Sequence, residues 1–332
     1  MSRLLAVPKA SEDAVIHADW LELRALEAND GSASLNDLAR EIARAGTTDA
    51  TMLAVGEKRR ERATTIAEDA IKEIEDRIQS ADGNAVAYPF CLNKAGQLLS
   101  TTKGAEDSLY VFLLLLTHVN IDKAKVQAGI DGTQLFEDVC AEAATGYLGG
   151  SGPRVQFYAF GFPRRSGPKA FGTALDTMCS QMGEGVGLRA RDNAADMKDA
   201  ALDLAVWRSF GDRRAGKLIG FAQCKTGRNW EGEVHNLRAF DFCANWLRDM
   251  PLVLPVRMFF VPCRVSHYGR DAKCRAAGIL FDRCRITEYA SSIADERAKQ
   301  WRKWSKGAIT NLILKPKRVS RTKAAAKKAS VK

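Results

Sequence analysis

Apolar side chains recur at helical spacing through the first quarter of the chain. Leu35, Leu38 and Ile42 form one such row, and a second row, set within a charged stretch, runs from Ile66 to Ile78. Recurrence every three or four residues is the pattern of an amphipathic helix. We therefore expect residues 1–105 to form a mainly helical accessory region.

Residues 106–314 mix patterns typical of helices with patterns typical of strands. Helical patterns occur at residues 106–119, 133–148, 174–182 and 234–247. Short apolar runs, which are typical of buried strands, occur at residues 155–160, 202–207, 218–224 and 256–261. Helices alternating with strands in this way predict an α/β domain over residues 106–314.

A β-hairpin is predicted where two apolar runs flank the glycine-bounded turn at residues 211–216. An acid, Asp203, stands near the start of the first run, and the second run closes with Gln223, Cys224 and Lys225. Because alternate side chains on a strand point the same way, Gln223 and Lys225 share one face while Cys224 points into the core. Antiparallel pairing then brings Asp203 close to Gln223 and Lys225.

Such a group of side chains favours metal-assisted chemistry on phosphate esters. The Asp203 carboxylate, the Gln223 amide oxygen and the backbone carbonyl of Cys224 are hard oxygen donors, which suit Mg²⁺ or Mn²⁺. A metal ion lowers the pKa of a bound water and offsets the charge that develops on a phosphate. Lys225 could then orient or deprotonate the attacking water.

These two strands resemble the PD-(D/E)XK nuclease superfamily, and in particular its Mrr-like branch, in which an acid in one strand is followed by Gln-x-Lys in the next. The segment from Asp199 to Asp203 is similar to the branch's Asp-x-Gly-x-Asp signature, with Ala201 at the middle position. The segment Gln223-Cys224-Lys225 is similar to its Gln-Cys-Lys strand. The resemblance covers roughly residues 130–265.

The resemblance implies a restriction-endonuclease-like core, in which a mixed sheet of order α-β-β-β-α-β is flanked by helices. It also implies a glutamate from a preceding helix at the metal, and two positions compete for that role. Glu184 lies among glycines at the end of a predicted helix, whereas Glu137 lies early in the helix before the first strand. We favour Glu184 as the helix acid and keep Glu137 as the alternative.

The function that the resemblance implies is a Mg²⁺- or Mn²⁺-dependent endodeoxyribonuclease acting in prokaryotic restriction or anti-phage defence. The N-terminal helices would then sense a signal, form a homodimer or dock a partner protein of the defence system. A second hypothesis stays open, in which the chain is a nucleic-acid-binding or scaffolding subunit that keeps the fold but cuts poorly. Action on RNA is a third, weaker hypothesis.

Residues that follow the lysine predict contacts to DNA. Arg228 supplies a guanidinium for phosphates, and Asn229 and Trp230 supply an amide and an aromatic ring for bases. The alternative interpretation is a simple turn with Trp230 packed in the core. Both interpretations fit the sequence equally well.

Basic charge is concentrated at the C-terminus. The chain carries a net charge of +10, and its last 18 residues, from Lys315 onward, hold eight basic residues and no acid. This segment has no aromatic or long aliphatic side chains on which to fold, so we expect residues 315–332 to be a disordered tail. It would either neutralise DNA phosphates without sequence preference or only increase solubility.

Two further sequence patterns indicate the cellular compartment in which the protein is expected. The longest purely apolar run, residues 111–116, is far shorter than the roughly 20 residues that a bilayer crossing requires, and no secretion signal is evident. We therefore expect a cytoplasmic protein without a membrane partner. The eight cysteines show no Cys-x-x-Cys spacing, which predicts reduced thiols, and Cys263, His267, Cys274 and Cys284 lack the paired spacing of zinc sites.

Overall fold

The computed structural model describes residues 6–45, 53–82, 87–150, 152–189, 197–290 and 295–314. Within these residues there are eleven α-helices and ten strands, and five of the strands form a mixed sheet. The structure is therefore of the mixed α/β class, as the sequence predicted.

Helices are distributed along the whole described chain, and the longer strands lie in its second half. The helices are α1 (Ala14–Glu27), α2 (Leu35–Ala45), α3 (Leu53–Ser80), α4 (Leu109–His118), α5 (Ile121–Ala124), α6 (Gly132–Tyr147), α7 (Phe171–Met182), α8 (Ala239–Trp246), α9 (Arg270–Ala277), α10 (Arg283–Tyr289) and α11 (Asp295–Ala308). The strands are β1 (Ser32–Ser34), β2 (Phe90–Leu92), β3 (Leu98–Thr101), β4 (Val126–Gln127), β5 (Ile130–Asp131), β6 (Val155–Ala159), β7 (Leu204–Arg208), β8 (Leu218–Cys224), β9 (Val256–Phe260) and β10 (Ile279–Phe281).

The central sheet has the strand order β10-β9-β8-β7-β6. β7 is antiparallel to both of its neighbours, whereas β8, β9 and β10 are mutually parallel. Leu204 faces Ala222 and Arg208 faces Leu218 across the β7–β8 pair, which confirms the predicted hairpin. We call the end of the sheet where β6, β8, β9 and β10 finish and β7 begins the carboxyl edge.

The sheet separates two layers of hydrophobic core. Because side chains alternate between the faces of a strand, Leu204, Val206 and Ala222 pack in the core on the α6 side. Trp207 and Phe221 point to the opposite face and pack in the core that α7 and α8 close. Each such fully buried large side chain contributes about 1.5–3 kcal/mol to folding. The hairpin that carries Asp203 is thus held from both sides.

The N-terminal region contains more strand than the sequence predicted. Three short strands form a small antiparallel sheet of order β1-β3-β2 against the N-terminal helices. Its core is continuous with the core on the α6 side of the central sheet. The structure therefore shows a shared core on the two sides of residue 105, and a division into domains at that residue stays a prediction.

A buried network of charges joins the N-terminal helices to the start of α10. Asp19 accepts hydrogen bonds from Arg77 at 2.7 Å and from Arg283 at 2.8 and 2.9 Å, and all three side chains are fully buried. His118 also contacts the Asp19 carboxylate, at 2.8 Å. Burial alone would raise the pKa of Asp19, but the two arginines hold it well below its ordinary range.

Arg264 extends this network to the carboxyl edge. It lies in the segment after β9 and donates to Glu73 of α3 at 3.3 Å and to Asp282 at 3.1 Å, with a further contact to Asp76. Since α3 is thereby tied to the segments that follow β9 and β10, the N-terminal helices brace the end of the sheet at which β8 finishes.

Two sequence predictions concern the limits of the fold. The predicted tail at residues 315–332 lies outside the described residues. Among the helices that the structure describes, none combines the length and apolar character that crossing a bilayer requires.

The buried network predicts a large effect of Arg283→Met on stability. Asp19 would keep its charge in the core with one arginine removed, and such a loss lowers the free energy of unfolding by about 3–5 kcal/mol. Denaturant unfolding followed by tryptophan fluorescence measures this change. As a control, Asp69→Asn removes only the exposed ion pair with Lys72 and should leave unfolding nearly unchanged. An Arg283→Met protein as stable as the wild type would contradict the proposed role of the network.

Candidate functional site

Asp203 is fixed by the backbone of three strands at the carboxyl edge. Its N–H donates to the Ala222 carbonyl at 3.0 Å, and its own carbonyl accepts from Phe160 and Gly161, both at 2.9 Å. The carboxylate oxygen Oδ2 accepts from the Cys224 N–H at 2.8 Å. Within the described part of the chain this is the one hydrogen bond to the carboxylate, so Oδ1 stays available to a ligand.

Glu137 of α6 is the acid that the structure brings to Asp203. Burial, and after it the negative charge of Asp203, raises the pKa of Glu137 to about 7. Burial also raises the pKa of Asp203 to about 6, against the opposing effects of the Cys224 N–H and the Lys225 ammonium. Burial thus makes the charged forms of both carboxyl groups costly, and a divalent cation bound between them would stabilise those charged forms.

Lys225 stands beside Asp203 and Glu233. Its Nζ lies 3.2 Å from a carboxylate oxygen of Glu233, which belongs to the one-turn 3₁₀ helix Trp230–Glu233. Burial alone would lower the pKa of Lys225, but the charges of Asp203 and Glu233 outweigh it and raise the value. Lys225 is therefore an ammonium at neutral pH, which suits it to orient a ligand and stabilise negative charge.

Gln223 lies next to the site, and its side chain is hydrogen-bonded to a different segment of the chain. Its side chain is buried, and its Oε1 accepts from the Leu237 N–H at 3.2 Å, just before α8. Its Nε2 is buried without a hydrogen-bond partner among the described residues. The oxygen that was predicted as a metal ligand therefore anchors the segment that leads into α8, and metal coordination by Gln223 stays a prediction.

Cys224 contributes through its backbone and not through its thiol. Its side chain contacts Cys140 of α6, and this contact together with burial raises the pKa of the Cys224 thiol well above its ordinary value. A thiol kept neutral in this way is a poor metal ligand. The backbone N–H fixes Asp203, and the backbone carbonyl of Cys224 stays the predicted oxygen donor.

Glu184 lies at the opposite end of the hairpin. Its carboxylate accepts from the backbone N–H groups of Gly216 at 2.9 Å, Lys217 at 3.4 Å and Leu252 at 2.9 Å. These residues flank the hairpin turn and the loop before β9, whereas Asp203 stands at the other end of β7. The preference for Glu184 over Glu137 is therefore corrected: Glu184 fixes two loops, and Glu137 is the acid near Asp203.

The three residues predicted to contact DNA separate into two groups. Arg228 and Asn229 are exposed beyond the end of β8. Trp230 is buried against Phe259, with ring centroids 6.0 Å apart, and Lys273 stands over its ring. The prediction that Trp230 stacks on bases is corrected, because this ring is part of the core.

An arginine that the sequence did not reveal lies beside Glu137. Arg165 donates to both carboxylate oxygens of Asp138, at 2.7 and 2.5 Å, and lies 3.7 Å from Glu137. Arg165 follows β6, the strand that pairs with β7. A basic residue shortly after the strand next to Asp203 is the sequence feature that could have identified it. The spacing to Glu137 is set by the fold and has no mark in the sequence.

The oxygen donors beside Asp203 are few but suit a divalent cation. In the described ranges, no three His, Cys, Asp or Glu side chains are grouped closely enough to hold a metal ion. The available donors are the two carboxylates of Glu137 and Asp203, with the Cys224 carbonyl beside them. Oxygen donors carrying two negative charges, one of them with a free carboxylate oxygen, fit Mg²⁺ or Mn²⁺. They would leave several coordination positions to water and substrate.

Comparison with protein-family models, with curated proteins and with solved structures finds no match for this chain. The site must therefore be judged on its own geometry.

The raised pKa values predict that stability falls with pH and that metal binding restores it. Ionising Glu137 opposes folding, and this effect is absent below its unfolded pKa of 4.5 and complete above about 7. Thermal unfolding at pH 8 should therefore show a stabilisation by Mn²⁺ that shrinks at pH 5. Glu137→Gln should raise the metal-free melting temperature at pH 8 by a few degrees, about 1 kcal/mol after allowance for solvent screening, and abolish the Mn²⁺ effect.

Glu184→Gln is the matched control for this measurement. It removes the same charge at the far end of the hairpin and should leave the Mn²⁺ stabilisation intact. An Mn²⁺ effect that depends on Glu184 and not on Glu137 would show that the metal site has been placed at the wrong end of the sheet.

Proposed function

We propose that this protein is a metal-dependent endonuclease that hydrolyses phosphodiester bonds of DNA. The observation that carries the proposal is the grouping of Glu137, Asp203 and Lys225 at one edge of the sheet. Two acids and a lysine in this arrangement agree with the resemblance to the Mrr-like branch of the PD-(D/E)XK nucleases. Glu137 takes the position of the helix acid, Asp203 that of the strand acid, and Lys225 that of the lysine.

The order of elements supports the same proposal. From α6 onward the chain runs through β6, β7, β8, α8 and β9, with α7 inserted between β6 and β7. Apart from that insertion, this is the helix-strand-strand-strand-helix-strand order of the restriction-endonuclease-like core. The three proposed site residues lie on α6, before β7 and after β8, which are the elements that carry the site in that superfamily.

Glu137 and Asp203 would hold the Mg²⁺ or Mn²⁺ ion, with the Cys224 carbonyl as a further donor. The ion would supply a water of lowered pKa and charge to offset the phosphate. Asp203 is held ready by the Cys224 N–H, so its carboxylate needs no rearrangement on binding. The Lys225 ammonium orients the attacking water or stabilises the phosphate oxygens, and its raised pKa argues against a role as the base that removes the proton.

A second candidate function is a DNA-binding or scaffolding subunit with little cleavage. The position of Gln223 favours this alternative, because its buried amide oxygen accepts a hydrogen bond from Leu237 and brings no negative charge to the site. The resemblance places either function in prokaryotic restriction or anti-phage defence, with DNA, a sensor or defence-system partner protein and a second copy of the chain as the partners.

Cleavage of supercoiled plasmid DNA with Mg²⁺ or Mn²⁺ tests the proposal. Asp203→Asn, Glu137→Gln and Lys225→Ala should each lower the rate at least 100-fold, since each removes a metal ligand or the local cation. Glu184→Gln should stay within about threefold of the wild type once the folded fraction is matched. Tight DNA binding without cutting would favour the scaffolding function, and cutting that survives Asp203→Asn would exclude the proposed site. RNA substrates are tested with the same proteins.

A further inference from the structure

The loop that follows β6 passes directly over the candidate site. Gly161 begins this loop, and a Cβ at that position would lie 3.3 Å from Oδ1 and 3.5 Å from Cα of Asp203. The Gly161 N–H also donates to the Asp203 carbonyl at 2.9 Å. The absence of a side chain here allows the loop to approach the carboxylate closely. Phe162 follows directly, so the loop starts within contact distance of the Asp203 carboxylate.

A buried arginine holds this loop in place. Arg164 is 4% exposed and donates to the carbonyl of Lys169 at 3.0 Å, which closes the loop on itself. It also donates to the carbonyl of Lys198 at 2.5 Å and stacks over the Phe160 ring at 4.6 Å. The loop after β6 is thereby tied to the segment that leads into Asp203. Its exposed side chains are presented on a fixed backbone.

Those exposed side chains combine an aromatic ring with cations. Phe162 is 49% exposed, and Nζ of Lys198 lies 5.6 Å from the centroid of its ring. Arg165, whose side chain is 35% exposed, is held in position by Asp138 beside Glu137. Phe162 directly follows Gly161, so its exposed ring lies at the start of the loop that approaches the Asp203 carboxylate.

A surface of this composition suits base stacking together with phosphate binding. An aromatic ring gains affinity by stacking on a nucleobase, and lysine or arginine beside it binds the adjoining phosphate. Within a duplex, each base is already stacked on both faces. A ring fixed on a protein loop can therefore reach only a base that is unpaired or has left the stack.

We propose that Phe162, Lys198 and Arg165 bind an unpaired nucleotide next to the bond that is cut, so that the substrate is DNA with single-stranded character at the cleavage position. This inference rests on the proposed nuclease function and makes it more specific. Phe162 stacks on the base, Lys198 binds a flanking phosphate, and Arg165 is shared between Asp138 and the phosphate nearest to the two acids.

Binding of labelled oligonucleotides, measured by fluorescence anisotropy with EDTA present, tests the inference separately from cleavage. The probes are a single strand, the matching duplex and the same duplex with one unpaired nucleotide. Phe162→Ala should weaken binding of the single strand and of the bulged duplex by roughly tenfold and leave the perfect duplex unchanged. Phe162→Trp should restore the affinity.

Arg165→Gln and Phe210→Ala complete the experiment. Arg165→Gln should weaken binding of the single strand and lower the slope of log affinity against log salt by about 0.7, as expected for one lost phosphate contact. Phe210 is 59% exposed and lies past the far end of β7, so Phe210→Ala is the matched control and should bind like the wild type. Thermal unfolding of each variant confirms that it is folded.

The outcomes separate this inference from the nuclease proposal. Plasmid cutting that depends on Asp203, together with single-strand binding that Phe162→Ala leaves unchanged, would overturn the inference and keep the nuclease. A wild type that prefers perfect duplex over the bulged duplex would overturn it as well. Loss of single-strand affinity in Phe162→Ala, in a protein that does not cut, would support the surface and reject the nuclease.

Discussion

The hydrogen bond from the Cys224 N–H to the Asp203 carboxylate is the interaction on which the candidate site depends. It is possible because β7 and β8 pair antiparallel in the register that sets Leu204 against Ala222. A slip of one residue would turn every side chain of β7 to the other face and would remove Asp203 from the end of β8. The two core layers that clamp the hairpin therefore also fix the geometry of the site.

The positive charges of the protein fall into two groups, one buried and one exposed. Arg77, Arg283 and Arg264 are buried and neutralise acids that hold the N-terminal helices against the carboxyl edge. The exposed cations near Asp203 have no comparable structural role. A net charge of +10 says little about where DNA would bind, since the arginines with the strongest interactions do not face solvent.

The sequence predicted those features that local pattern determines. The two apolar runs within residues 202–224, with the turn between them, predicted the hairpin. The pairing of the two strands in turn predicted that Lys225 lies close to Asp203. The choice between Glu137 and Glu184 depended on long-range packing, because Glu137 lies in a helix and Glu184 lies just after one, and only the placement of α6 against the sheet separates them. The burial of Trp230 and the bond from Leu237 to Gln223 likewise arise from the path of the chain after β8, which no spacing encodes. The short strands β1 and β3 of the N-terminal region were missed because three or four residues are too few to show alternation.

The central claim is that Glu137 and Asp203 together bind a divalent cation at the carboxyl edge. Anomalous diffraction from crystals grown with Mn²⁺ tests it most directly, because manganese is located independently of any assumption about activity. We expect an anomalous peak within about 2.0–2.6 Å of oxygens from both carboxylates, the range of hard-cation bonds. A Mn²⁺ peak bound elsewhere, with these two carboxylates bonded only to protein atoms, would contradict it.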